Sequence, residues 1–83
     1  MPQDDVEAVE WYRCAAEQSD AEAMAWLRET AERGVARAQV SLGAMYAAGR
    51  GVVKDENVAA EWYRRAAERG DVEALVWLRE TAE

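Results

Sequence analysis

The chain has 83 residues, a formal net charge of −7, one cysteine, no histidine and no phenylalanine. That length allows a single domain near the lower limit for a self-sufficient core, and the acidic balance argues against nucleic acid or an anionic membrane as partner. Without histidine there is no Ser-His-Asp or Cys-His catalysis and no His-based metal site, and the lone Cys14 forms no internal disulfide.

The composition is a helix-forming one, with 18 Ala and abundant Glu and Arg. Five helices follow from caps and periodicity. The first is predicted from about Asp5 to Gln18, capped by Asp4 with Glu7 three residues on. Val6, Val9, Tyr12 and Ala16 form its apolar stripe. Ser19 ends it and, with Glu22, is expected to open a second helix over 20–33, with Ala23, Leu27 and Ala31 inward. Gly34 suits a left-handed stop. A third helix over 35–48 carries Ala38, Leu42, Met45 and Tyr46 on one side. The segment Gly49–Asp55 is the one real loop, and Asp55 can cap a fourth helix over 56–69 that Gly70 stops. A fifth helix runs over 71–83. No stretch alternates in the manner of a strand.

Residues 4–32 and 55–83 are nearly the same sequence. At a shift of 51 they agree at 19 of 29 positions. Self-similarity at a fixed spacing marks a repeat architecture. Cys14 falls where the second copy has Arg65, so it is expected to face water.

Residues 36–70 carry a fuller pattern: Ala38, Leu42-Gly43 and Tyr46 on one helix, the Gly49-x-Gly51 loop, then Ala60, Trp62-Tyr63 and Ala66-Ala67 on the next, closed by Gly70. This resembles a complete Sel-one-like repeat, a relative of the tetratricopeptide repeat with a period of about 36 residues. Residues 1–18 resemble the second half of another unit, through Asp4, Trp11, Tyr12, Ala15 and Ala16. The resemblance implies an all-α fold, a short right-handed α-solenoid of about five antiparallel helices. It divides one domain, 1–83, into a contracted partial repeat over 1–34, a complete repeat over 35–70 and a partial repeat over 71–83. The 51-residue spacing is about 21 residues short of two full units. The missing part is the Leu-Gly…Tyr…Gly-x-Gly stretch, so residues 20–34 read as a helix start fused to a helix end. Arg28 and Arg79 stand where the full unit has Gly43. Loss of that glycine is expected to remove one close helix contact and alter the solenoid path.

No reaction chemistry emerges. The carboxylates fall at helix starts or on solvent faces, and Gly49-Arg-Gly-Val-Val-Lys54 lacks phosphate-loop spacing. Trp11, Tyr12, Trp26, Tyr46, Trp62, Tyr63 and Trp77 sit at helical spacings that suit packing between helices rather than a ligand cage. No cofactor is expected. The resemblance implies a non-enzymatic scaffold for a protein or peptide partner, bound along a groove of first helices. Arg37, Gln39, Val40, Ser41 and Ala44 are the candidate lining residues. The alternative is a trimmed or designed array that self-associates through exposed stacking faces, with a homodimer burying Trp26, Trp77 or the Leu75–Leu78 edge. No apolar run approaches the roughly 20 residues that cross a bilayer, and the start MPQDDVEAVE has no signal-peptide pattern, so a cytoplasmic location is expected.

Overall fold

A computed structural model describes residues 5–81. Its helices are α1 Asp5–Glu17, α2 Ala21–Glu32, α3 Ala36–Ala48, α4 Glu56–Glu68 and α5 Val72–Thr81, and no strand occurs among the described residues. The predicted cap at Asp4, the Val6 side chain in the stripe, and the predicted extension of α5 over 82–83 lie outside what is described.

Local chemistry sets the helix ends. Asp20 Oδ1 accepts from the N–H groups of Glu22 and Ala23 at 3.0 and 3.2 Å. Asp55 Oδ1 does the same for Asn57 and Val58, and Asp71 Oδ1 accepts from Ala74 at 3.1 Å. Each satisfies donors that the first helical turn leaves free. The expectation that Ser19 opens α2 is corrected. Asp20 is the cap, and Ser19 closes α1 instead, in the left-handed region with φ 73°. There the N–H groups of Ser19 and Asp20 return to the carbonyls of Ala16 and Ala15. The equivalent residue in the second copy is Gly70, with φ 88°.

Helix α3 forms the centre. Ala38, Gln39, Val40, Ser41, Leu42, Gly43 and Met45 are all buried, as expected of a helix covered on several sides. It packs against α2, α4 and α1, while α1 also packs on α2 and α4 on α5. Two apolar clusters meet across it. Ala38, Leu42 and Met45 join Val9 of α1 and Leu27 of α2 in one. Val40 joins Ala59, Tyr63 and Ala66 of α4 and Ala74 of α5 in the other.

The helices alternate between two layers, in keeping with a shortest dimension of 16 Å. Arg37 of α3 reaches Glu10 of α1 and Glu73 of α5, which places these three helices in one layer. Gly34, just after α2, lies under the Arg69 guanidinium at the end of α4, which places those two in the other. A 51-residue unit thus holds three helices. Three is odd, so the second copy starts in the opposite layer from the first.

Two glycines permit close approaches. A Cβ on Gly43 would lie 2.8 Å from ring carbons of Tyr63, so Tyr63 presses flat on α3 only because that position has no side chain. At the matching place in α2, Arg28 is exposed and its Nη2 donates to the Tyr46 hydroxyl at 3.1 Å. Gly51, with φ 75°, lies against the Ala16 carbonyl and the Cα of Glu17, so the α3–α4 loop seats on the end of α1.

Candidate interaction surfaces

A groove of about 250 Å³ opens across the α1–α3–α5 layer, lined by Glu10, Arg13, Arg37, Val40, Ser41, Ala44 and Glu73. Its floor is α3. Residues 37, 40, 41 and 44 follow the i, i+3, i+4, i+7 spacing of one helix face, so they arrive together. Val40 and Ser41 are buried and Ala44 is exposed. Arg37, Val40, Ser41 and Ala44 are thus brought together on one cleft. Gln39 is the correction. Two helical steps from Arg37, it points to the other side, where its Nε2 donates to the Ala31 carbonyl at 2.9 Å and the side chain is 4% exposed.

The rim is ionic. Arg37 Nη1 lies 3.3 Å from Glu73 Oε1, and its Nη2 3.5 Å from Glu10 Oε2. Arg13 donates to Glu10 and, at 3.0 Å, to Glu17. The hydrogen bond from Arg13 is the main force holding the Glu10 carboxyl below the ordinary glutamate range, with the charges of Arg13 and Arg37 adding to it. The same contact raises Arg13. The lining holds two acids, Glu10 and Glu73, and two bases, Arg13 and Arg37, so its formal charges balance. Glu10, Arg13 and Glu73 were not anticipated from sequence. A signal existed for each: Glu10, Arg13 and Glu17 stand at i, i+3 and i+7, and Arg37 and Glu73 are 36 residues apart, one family period.

The predicted self-association residues divide. Trp26 stacks on Tyr12 with ring centres 4.1 Å apart, and Trp77 stacks on Tyr63 at 4.2 Å. Both tryptophans are thus half-buried within their own chain. Leu78 is half-buried against the second cluster, and Leu75 is 48% exposed. Trp11 on α1, whose spacing suits packing between helices, is a correction: it is 73% exposed, and Val72 and Val76 on α5 are further exposed apolar residues. Cys14 is exposed, as its match to Arg65 predicts.

Among the described residues no group of His, Cys, Asp and Glu side chains could hold a metal ion, and no helix is long and apolar enough to cross a membrane. The groove offers hydrogen bonds, charge and a small apolar floor, which are means of recognition.

No curated protein and no solved structure matches the chain. The family model of the Sel1 repeat matches three times, over residues 1–20, 18–35 and 36–71. The middle match spans a single helix, α2, whereas the third spans the α3–α4 pair. Sel1 repeats form helical solenoids and are generally non-catalytic modules for binding other proteins. With matches running through most of its length and five helices alternating between two layers, the chain belongs to the Sel1 repeat family.

Proposed function

We propose that this protein is a non-enzymatic scaffold that holds a peptide segment of a partner protein in the α1–α3–α5 groove. The observation that carries the reading is the convergence of three helices on one cleft: Arg37 at its centre, Val40, Ser41 and Ala44 on its floor, and the carboxylates of Glu10 and Glu73 on either side. A floor of small side chains admits a main chain closely, and the paired charges offer both donors and acceptors to it. No cofactor takes part, and neither nucleic acid nor membrane is the partner of a chain with net charge −7. A cytoplasmic location belongs to this reading.

Ala44→Arg provides the test, because Ala44 is exposed and the change leaves the core alone. Partners captured by the wild-type protein should be lost by the variant at unchanged helical content by circular dichroism. Capture that survives Ala44→Arg removes this groove as the site.

A second reading is self-association, supported by Trp11 at 73% and Val72 at 71% exposed. Sedimentation velocity over a concentration series decides it. A homodimer should appear as a concentration-dependent rise in sedimentation coefficient, and a constant monomer value removes this reading.

A further inference from the structure

The outer face of α5 has a sequence duplicate inside the same molecule, and that duplicate is covered. At the 51-residue shift, Val9, Trp26, Leu27 and Thr30 correspond to Ala60, Trp77, Leu78 and Thr81. In the first copy Val9 and Leu27 are fully buried and Thr30 is 5% exposed. In the second, Ala60 and Leu78 are half-buried and Thr81 is exposed. The two helix pairs have the same internal geometry, since Tyr12–Trp26 and Tyr63–Trp77 stack at 18° and 14° between planes. What differs is a neighbour. α3 covers the first face, bringing Ala38, Leu42 and Met45 into one cluster with Val9 and Leu27. Over the second face there is a cleft of about 370 Å³ walled by Ala60, Trp77 and Thr81, with Ala47, Glu56 and Asn57 around it.

We infer that this cleft receives a helix of a partner protein that carries the α3 stripe, a small residue followed by Leu at i+4 and Met at i+7. The spacing of Ala38, Leu42 and Met45 puts the three on one helix face, and the mode is a helix laid into an apolar groove. Charge favours the same occupant. Residues 35–54 contain Arg37, Arg50 and Lys54 and no acidic residue, whereas the protein as a whole has net charge −7 and Glu56 stands at the cleft. Of these cations only Arg37 lies on α3 itself, so the partner helix is small-faced and free of acidic residues. This site lies apart from the α1–α3–α5 groove and does not depend on it.

A synthetic peptide of residues 35–54 is the probe, titrated into the full isotopically labelled protein. Chemical shifts should move at Ala60, the Trp77 indole, Leu78 and Thr81 while Ala44 and Trp11 stay still. Thr81→Arg in the protein, an exposed position, should weaken binding at least about tenfold, and so should Leu42→Asp in the peptide. Ala44→Arg should bind the peptide as the wild type does, which separates this site from the groove. Because a short peptide must also fold on binding, a second measurement appends the Arg33–Lys54 segment after Glu83. The appended chain should melt higher, with Trp77 shielded from iodide quenching. The inference is overturned if shifts instead gather at Leu27 and Tyr63, which would mean the peptide displaces α3. It is equally overturned if peptide leaves Trp77 unmoved and the appended chain melts no higher than the parent.

Discussion

The helix pairs α1–α2 and α4–α5 are nearly the same sequence placed on opposite sides of α3. Tyr63, Ala59 and Ala66 of α4 are buried because α3 lies before them, whereas their counterparts Tyr12, Ala8 and Ala15 retain exposure because no described helix does. The reverse holds at the other face. Val9 and Leu27 are fully buried by the helix that follows them, and Ala60 and Leu78, which no described helix covers in that way, are half-buried. Trp62 packs on the first cluster under Arg65, whose guanidinium carbon lies 4.8 Å from its ring centre, and Trp11 is 73% exposed. The stacked Tyr–Trp pair is common to both copies because its two members belong to the same hairpin. In a repeat protein, contacts within a unit travel with its sequence, and contacts between units depend on position in the array.

The sharpest way to break this comparison is a pair of matched truncations. Leu27→Ala opens a cavity in a closed core and should cost about 2–5 kcal/mol. Leu78→Ala is the same change on the half-covered face and should cost about half as much in urea denaturation. Equal losses would mean that α3 does not distinguish the two copies. Next in size is Gly43→Ala. The added methyl would meet the Tyr63 ring at 2.8 Å, so overpacking of about 1–3 kcal/mol should outweigh the roughly 1 kcal/mol gained in helix propensity. A Tm at or above the parent's would show that the close α3–α4 contact is not needed.

Ser19 and Gly70 sharpen the comparison at a helix stop. Both have positive φ, and only one is glycine. Ser19→Gly should stabilise by about 0.5–1 kcal/mol and Gly70→Ser should destabilise by a similar amount. Two changes of the same sign in thermal melts would defeat the assignment. The smallest effect is electrostatic. Glu10 has its folded pKa lowered, first by the Arg13 hydrogen bond, so its contribution is present above the ordinary glutamate range. It is lost as pH falls through that range to the lower folded value. Glu10→Gln should therefore narrow the stability difference between neutral and acid pH, and only modestly, because the pair is partly exposed. An unchanged acid limb would show that Arg13 and Arg37 add nothing through Glu10.

Most of the fold was legible in the chain because its signals are local. Asp55 and the glycines at 34, 49 and 70 act over one turn of backbone, so most helix limits follow from them, and Asp20 and Asp71 act in the same local way. Ser19 misled because serine is a common N-cap, and the adjacent Asp20 took that role. The groove was half legible. Arg37, Val40, Ser41 and Ala44 share one helix face, which periodicity reveals, and Gln39 should have been rejected by the same periodicity. Glu10 and Glu73 were missed because they are distant in sequence and meet Arg37 only across helices.

Five helices of the Sel1 kind are readable from the chain alone, since helix period, aspartate caps and glycine stops are written within a few residues of where they act. Tertiary structure alone decided which layer each copy occupies, which of two identical tryptophans is covered and which three helices form the groove. Burial belongs to a residue's neighbours rather than to the residue, and an odd number of helices from one copy to the next gives each copy a different set of neighbours.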